Sequence, residues 1–378
     1  MTAQGRVQKH HAALTPGGWA ARTAARQDGR VPPRPSIDSD DDVVTDLLAS
    51  TLELVAEAGG WVDPTTVLVC RDGQLSLRSD ADEEATLVYV PREAMVRVDS
   101  VAWADDDEHL LVQGLPDDIG DIELQMLYVQ AALHNQCGKL PWLGSSHPAL
   151  SPDVSDDLTE HVRHVVPSFR STHLTARDVL WANRCFRLPI TDANPRVLVP
   201  IVDLLNHHSS GAAGQWDGAG FSVTAHRAFG SHECALDYGM GRDALELAVV
   251  YGFVDASAEI AHSAPVTVTL CDGHRLTVIG GGRTADGAWL AVESHASGTS
   301  TSVSHLTFSS NAPDLAATDL AAATGWDTTR AREAVDLVAR ANLDLLEPII
   351  DTPDPGEAAR TLASAADHQR SVLSATVH

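Results

Sequence analysis

Apolar residues recur at helical spacing near both ends of the chain. The first pattern begins after Asp42 and stops at Gly59-Gly60. Its apolar face consists of Val44, Leu47, Leu48, Thr51 and Val55. Asp327 is placed to cap a second pattern that ends at Pro348, and Asp354-Pro355 is placed to start a third, with proline at the first helical position. These spacings, bounded by polar caps, predict three amphipathic helices.

Short β-branched runs predict strands on either side of a helical middle. The predicted short strands are residues 65–69, 86–90, 266–270, 276–279 and 289–292. A longer β segment runs from about residue 180 to 255, whereas the pattern over 97–177 is helical. Strands and helices that occupy separate parts of a chain predict an α+β fold.

The chain of 378 residues is strongly acidic, with a formal net charge of −26 and a pI of about 4.9. A phosphate backbone would repel such a surface, so the charge argues against nucleic-acid binding and favours a basic protein or a cationic ligand. Residues 1–36 are the exception, because six Arg and Lys residues stand there against Asp28 alone. No apolar periodicity accompanies them, so we expect this arm to be disordered.

The sequence contains neither an apolar run of membrane-spanning length nor a signal-peptide pattern. We therefore expect a soluble, cytoplasmic protein without membrane contact. The cysteines are Cys70, Cys137, Cys185, Cys234 and Cys271. Their number is odd and they show no C-x-x-C spacing, so we expect buried thiols, with neither a disulfide framework nor a metal site.

The motifs that carry chemistry lie between residues 183 and 253. An apolar stretch over 197–202 leads into Asn206-His207, and Asp237-Tyr238-Gly239 begins thirty residues after His207. Tyr251-Gly252-Phe253 closes the series. Each piece alone is a common turn or polar pair, so the information lies in their order and spacing.

This order of parts resembles the SET-domain lysine methyltransferases, in the branch that includes the plant Rubisco large-subunit methyltransferase and the actin-histidine methyltransferase. The resemblance implies a SET-domain β fold with a pseudoknot, a helical insertion and an α-helical C-terminal domain. The implied divisions are the disordered basic arm (1–36), the SET N-terminal part (37–96), the helical insertion (97–177), the SET C-terminal part with the pseudoknot (178–255) and a mainly helical C-terminal domain (256–378).

The resemblance also implies S-adenosylmethionine as the cofactor and assigns residues to the site. Tyr238 matches the catalytic tyrosine of the family. The residues placed at the cofactor are Gly73, Asn183, Asn206, His207, Tyr251 and Phe253. Arg184 and Asp203 match residues that border the substrate. His226 and His232 fall in no metal-ligand spacing, so we expect no metal.

The sequence departs from the family's pattern in two places. The first cofactor loop of the family reads Gly-x-Gly, whereas Asp72-Gly73-Gln74-Leu75 keeps only the first glycine. A second glycine would let backbone approach a ligand without a side chain in the way, so this loop is either reshaped or binds the cofactor less tightly. The other departure, Gly230-Ser231-His232-Glu233 where the family often has Gly-Glu-Glu, looks peripheral.

The expected function is S-adenosylmethionine-dependent N-methylation by a SET-class enzyme, with a lysine side chain of a protein or peptide as the default acceptor. A histidine imidazole or a small specialised metabolite is an open alternative. A degenerate SET domain that binds a basic partner without catalysis is a second alternative. The altered glycine loop favours that reading, whereas the intact Tyr238 and Asn206-His207 oppose it.

Overall fold

A computed structural model describes the chain in segments. These are residues 34–82, 85–106, 109–137, 154–166, 175–191, 194–226, 232–238, 241–280, 291–354 and 356–377. Some features singled out in the sequence lie outside the described residues: the basic arm through residue 33, Gly230-Ser231, Gly239, positions 289 and 290 of a predicted strand, and Pro355.

The described residues form these elements, numbered in chain order. The helices are α1 (Asp42–Glu57), α2 (Asp121–Gln136), α3 (Asp156–Val165), α4 (Ala176–Asn183), α5 (Ala244–Tyr251), α6 (Leu315–Thr324), α7 (Thr328–Ile350) and α8 (Glu357–Ser374). The strands are β1 (Ser36–Ser39), β2 (Trp61–Val62), β3 (Thr66–Arg71), β4 (Gln74–Ser79), β5 (Thr86–Pro91), β6 (Val96–Arg97), β7 (Ala102–Trp103), β8 (Val112–Gly114), β9 (Cys185–Arg187), β10 (Arg196–Leu198), β11 (Asn206–Ala212), β12 (Gln215–Trp216), β13 (Gly220–Thr224), β14 (Glu233–Leu236), β15 (Ile260–His262), β16 (Val266–Thr269), β17 (Arg275–Val278), β18 (Ser294–Ser297), β19 (Ser300–Val303) and β20 (Thr307–Ser309).

The predicted α+β class is confirmed, and so is the helical C-terminal region, which consists of α6, α7 and α8. Helix α2 follows the sequence pattern, but the helical pattern predicted over 97–177 is wrong for residues 102–103 and 112–114, which hold the strands β7 and β8. The α-helices described in this range are α2, α3 and the start of α4. The pseudoknot stays a prediction of the family resemblance. The chain divides into two compact units, described separately below. The first draws on segments 1–140, 174–207 and 211–236, and the second on 141–173, 208–210 and 237–378.

The first unit is built on α1 and α2 packed beside small sheets. The carboxylate of Asp41 caps α1 by accepting from the N–H groups of Val43 and Val44 at 2.7 and 3.2 Å. The apolar face of α1 that the sequence predicted is buried at Val44, Leu48 and Val55. Burying one such side chain contributes roughly 1.5–3 kcal/mol, so this face accounts for the attachment of the helix.

A five-stranded sheet in the first unit has the order β1-β3-β4-β14-β11. The hairpin of β3 and β4 is antiparallel, β4 pairs antiparallel with β14, and β11 runs parallel to β14. Because of these directions, the β3–β4 turn lies at the same end of the sheet as the last residues of β14. The sequence did not predict β4, whose inner face carries only Leu75, Leu77 and Ser79.

The second unit has its own apolar core, formed by α3, α5, α6, α7 and α8 with strands β15, β16, β17, β19 and β20. Asp327 caps α7 as predicted, accepting from the N–H of Arg330 at 2.9 Å. The prediction that Pro348 ends this helix was wrong, because α7 continues to Ile350. Ile349 is fully buried, and its burial offsets the cost of a proline within the last turn.

The predicted start of the last helix was also wrong. Helix α8 begins at Glu357, and its N-cap is Gly356, which makes no side-chain capping bond. The carboxylate of Asp354 accepts from the N–H of Ser155 at 3.0 Å instead. That bond to a distant part of the chain lowers the pKa of Asp354, since it favours the ionised form.

The expectation of buried thiols holds for Cys70, Cys137 and Cys234, but Cys271 is exposed and Cys185 is half-buried. Desolvation of the Cys185 thiol and the neighbouring charge of Asp203 raise its pKa, so this thiol is poorly suited to act as a nucleophile. Among the described helices, none is long and apolar enough to cross a membrane.

Asn342 on α7 joins the helix to the strand layer of the second unit. Its Oδ1 accepts from the N–H of Ala264 at 2.7 Å, and its Nδ2 donates to Ser263 Oγ and to the carbonyl of Val338. Replacing Asn342 with leucine leaves the buried N–H of Ala264 without its acceptor, so we expect the free energy of unfolding to fall by about 2–3 kcal/mol. Urea unfolding followed by circular dichroism measures the change.

The exposed Asn311 provides a matched control for that substitution. Asn311→Leu is expected to change the free energy of unfolding by less than about 0.5 kcal/mol, because an exposed side chain away from such features contributes little. Equal losses from the two variants would remove Asn342 from its structural role.

Candidate functional site

Asn206 begins β11 and lies beside β14 in the first unit. Asn206 pairs with Ala235 and His207 pairs with Leu236 in parallel register, so the Asn-His motif runs along the last residues of β14. The Nδ2 of Asn206 donates to Oε1 of Glu233 at 2.6 Å. An ionised carboxylate can only accept, so this bond fixes which way the Asn206 amide faces and leaves its Oδ1 to accept from another donor.

The segment before Asn206 is a tight turn with an unusual backbone. Ile201 has φ 70° and ψ −44°, a region that β-branched residues rarely enter, and it is fully buried. Such a conformation costs of the order of 1–3 kcal/mol and persists only where the surroundings over-determine it. A short 3-10 turn over Val202–Leu204 follows, with N–H bonds from Asp203 to Val199 and from Leu204 to Ile201 at 3.0 and 3.1 Å.

Asp203 is the anchor of this turn. Its side chain is completely buried, and its Oδ2 lies 2.9 Å from Nε2 of His134 on α2. The carbonyl of Asp203 accepts from Nη1 of Arg184 at 2.6 Å. Sequence reasoning assigned Asp203 and Arg184 to the substrate side, and the structure joins these two residues directly. It also adds His134, which the sequence reading did not single out.

Arg184 and Asn183 stand at the end of α4. Asn183 is the last residue of the helix and is buried, and Arg184 is its half-buried C-cap. Thr175 and Asp178 start α4 with a reciprocal capping box. The helix is therefore fixed at its beginning, and its end delivers the Arg184 guanidinium to the Asp203 carbonyl.

Gly73 is explained by the hairpin in which it lies. Asp72 and Gly73 have φ of 48° and 62°, and Arg71 pairs with Gln74 across them. Positive φ at both central residues is typical of a type I′ turn, for which Asp-Gly is a preferred sequence. The turn accounts for Gly73 without a ligand, and it lies at the end of the sheet where β14 finishes. Its assignment to the cofactor stays a prediction.

The second unit brings together three aromatic residues from the two Tyr-Gly motifs. The rings of Tyr238 and Tyr251 have centroids 4.9 Å apart, and those of Tyr251 and Phe253 are 6.1 Å apart. The Arg242 guanidinium lies 5.3 Å from the centre of the Tyr251 ring and pairs with Glu246 at 2.9 Å. Such a cluster provides flat, electron-rich surfaces of the kind that bind flat rings and cations.

Helix α5 holds this aromatic cluster in place. Asp243 caps the helix by accepting from the N–H of Glu246 at 2.7 Å, and its other oxygen accepts from the N–H of His262 at 3.0 Å. Gly252 ends the helix at φ 73°, a conformation that favours glycine, which explains the glycine after Tyr251. Asp255 then binds the N–H and hydroxyl of Ser209.

The predicted site residues therefore fall into two clusters. Asn183, Arg184, Asp203, Asn206 and His207 lie in the first unit, while Tyr238, Tyr251 and Phe253 lie in the second. The described residues hold no grouping of side chains with the makings of a metal site. Sequence reasoning missed two contacts. Glu233 binds Asn206, and His134 binds Asp203.

Comparisons with known proteins find distant likenesses among solved structures. The chain is similar to a structure described as "Structure of Rubisco LSMT bound to AdoMet", with a TM-score of 0.41 and 13% sequence identity over 87% of this chain and 90% of that chain. No protein-family model matches the sequence, and no curated protein matches it.

Proposed function

We propose that this protein is an S-adenosylmethionine-dependent N-methyltransferase of the SET class, acting on a lysine side chain of a protein or peptide. One observation supports it most. The strand β14, beside which Asn206 and His207 lie in register, leads within two residues into Tyr238, whose ring contacts that of Tyr251. The order of these motifs along the chain is the reason for assigning both clusters to this function.

The side chains suit the proposed donor. When bound, S-adenosylmethionine supplies an electrophilic methyl group on a sulfonium cation. The Asn206 Oδ1 is oriented as an acceptor because Glu233 takes the amide N–H, so it suits an ammonium group. The rings of Tyr251 and Phe253 suit a flat base, with stacking worth of the order of 1 kcal/mol. The net charge of −26 also favours cationic ligands over anionic ones.

The task of the protein is alignment and exclusion of water. Holding two reacting groups about 3 Å apart supplies roughly 7–11 kcal/mol of the barrier reduction. A lysine with a pKa of about 10.4 costs roughly 4.6 kcal/mol to present neutral at pH 7, and apolar surroundings reduce that cost. In this proposal the Tyr238 hydroxyl accepts a hydrogen bond from the amine and orients its lone pair. Arg184 and the Asp203 turn border the acceptor.

Calorimetric titration with S-adenosylmethionine is the first test. We expect one donor per chain with a Kd in the micromolar range, about −8 kcal/mol. Tritium transfer from labelled donor to a degenerate library of short lysine-containing peptides then tests the acceptor, with a matching library that carries histidine in place of lysine. Transfer to the histidine library alone would move the acceptor to an imidazole and keep the class of reaction.

The non-catalytic alternative makes a different prediction in the same titration. The geometry of the β3–β4 turn favours the non-catalytic alternative, because it explains the glycine at position 73 without a ligand. A degenerate domain would show no heat of binding with the donor but would bind a basic peptide. Because both outcomes come from the intact wild-type chain, they do not depend on any variant folding.

A further inference from the structure

We propose that His134, in the predicted helical insertion, is a positioning residue for the donor-binding segment. Its bond to Asp203 holds the turn over residues 199–205, and thereby sets where Asn206 begins β11. The inference rests on the proposed function, because it concerns how that site is kept in shape. It adds a residue that the family resemblance did not assign.

The first support is the place of the bond in the chain. Asp203 lies three residues before Asn206, and the intervening backbone is the 3-10 turn that follows the unfavourable conformation of Ile201. A backbone of this kind needs contacts from outside the segment to hold it. Two contacts from outside meet at Asp203: the guanidinium of Arg184 on its carbonyl and the imidazole of His134 on its carboxylate.

The second support is that nothing else described satisfies this carboxylate. The Asp203 Oδ1 has no hydrogen-bond partner among the described residues, so His134 is the one side chain there that binds the acid group. A cavity beside His134 has a volume of about 10 Å³. That is about the smallest space that admits one water molecule, so the surroundings of the imidazole are closely packed.

The third support is the rigidity of the element that carries His134. Helix α2 packs against α1, and Gln130, one turn before His134, is equally buried and donates to Thr51 on α1 at 3.0 Å. The helix is therefore fixed independently of Asp203. Because its helix is fixed, His134 sets the position of the turn over residues 199–205, and the turn does not set the position of His134.

Three variants separate positioning from general stability. His134→Phe keeps a ring but removes the donor, whereas His134→Gln can place an amide N–H near the lost Nε2. Gln130→Met is the matched control, since it removes a buried polar contact on the same helix face that does not involve residues 199–207. All three are compared with the wild type for affinity towards S-adenosylhomocysteine by calorimetry and for melting temperature by circular dichroism.

We expect His134→Phe to weaken S-adenosylhomocysteine binding by about tenfold or more, because a buried carboxylate then lacks its partner and the turn shifts. His134→Gln should restore affinity to within about threefold, since the bond is remade. Gln130→Met should lower the melting temperature while leaving the affinity within about twofold, as independent sites do not couple. Wild-type affinity in His134→Phe, or equal loss in all three variants, overturns the inference.

If His134→Phe does not fold, Asp203→Asn provides the same test with the side-chain volume kept. A neutral amide makes a weaker bond to His134, so we expect about a threefold loss of affinity in a folded protein. Unchanged affinity in Asp203→Asn would then count against the positioning role. Absence of binding by the wild type is a separate result, because it rejects the proposed function itself.

Discussion

Replacing Tyr238 with phenylalanine is expected to lower the rate of methyl transfer by at least about a hundredfold, because in the proposed function the lost hydroxyl orients the acceptor amine. The ring stays, and with it the contact to Tyr251 at 4.9 Å between centroids. Donor affinity should therefore remain within about threefold of the wild type, since stacking depends on the ring. Tritium transfer to the lysine-peptide library measures the rate, and calorimetry with S-adenosylhomocysteine measures the affinity.

Tyr128 provides a matched control for Tyr238, as it is a half-buried tyrosine on α2 with no assigned role. Burial raises the pKa of its hydroxyl, so that group is neutral near pH 7, as an unperturbed tyrosine also is. Tyr128→Phe should keep the wild-type rate. Full activity in Tyr238→Phe would remove this tyrosine from its proposed role, whereas parallel loss of donor affinity would indicate that the hydroxyl supports the fold instead.

Local patterns were sufficient for the parts of the fold that are stabilised locally. The buried face of α1, the cap at Asp327 and the strands around residues 66–71 and 86–91 all follow from spacing and turn residues in one short window. The α+β class follows from the same windows, because it needs only the types of the elements and their order along the chain.

The errors arose where distant residues decide the outcome. Asp354 reads as a helix start, but its carboxylate is occupied by the N–H of Ser155, 199 residues away. Strand β4 has a weak apolar pattern and is stabilised by pairing with β3 on one side and β14 on the other. Pro348 reads as a stop, but the burial of Ile349 carries α7 past it. The partners of Asp354 and β4 lie outside a local window, and so does the core that buries Ile349.

The candidate site shows the same division. The order and spacing of the motifs singled out Asn206, His207, Tyr238 and Tyr251 as predicted site residues. Their supporting partners come from elsewhere: His134 acts across 69 residues, and Glu233 across 27. A sequence reading finds residues that stand in short motifs, whereas the distant residues that contact them emerge only when the strands and helices are assembled.

Glu233→Ala is expected to weaken the binding of S-adenosylhomocysteine by about tenfold to a hundredfold. A hydrogen bond to a charged group contributes about 1.5–3 kcal/mol, and the loss of that energy corresponds to this change in affinity. In the wild type, the Asn206 Nδ2 donates to Glu233 at 2.6 Å. In the variant the carboxylate is missing, so the Asn206 amide is free to turn. Its Oδ1 then no longer faces the ammonium group of the ligand. Calorimetry on the wild type and the variant measures the change.

A ligand without the ammonium group separates orientation from stability. The deaminated analogue of S-adenosylhomocysteine has nothing for the Asn206 Oδ1 to accept from, so Glu233→Ala should change its affinity by less than about twofold. Glu233→Gln, which can still accept from the amide, should lose only about threefold with the parent ligand. Glu93 is exposed and lies in the same unit, so Glu93→Ala is the control and should change the affinity for neither ligand. Equal losses of affinity for both ligands would mean that Glu233 supports the sheet and does not orient Asn206. A general loosening of β14 would weaken a ligand with an ammonium group and one without it to the same extent.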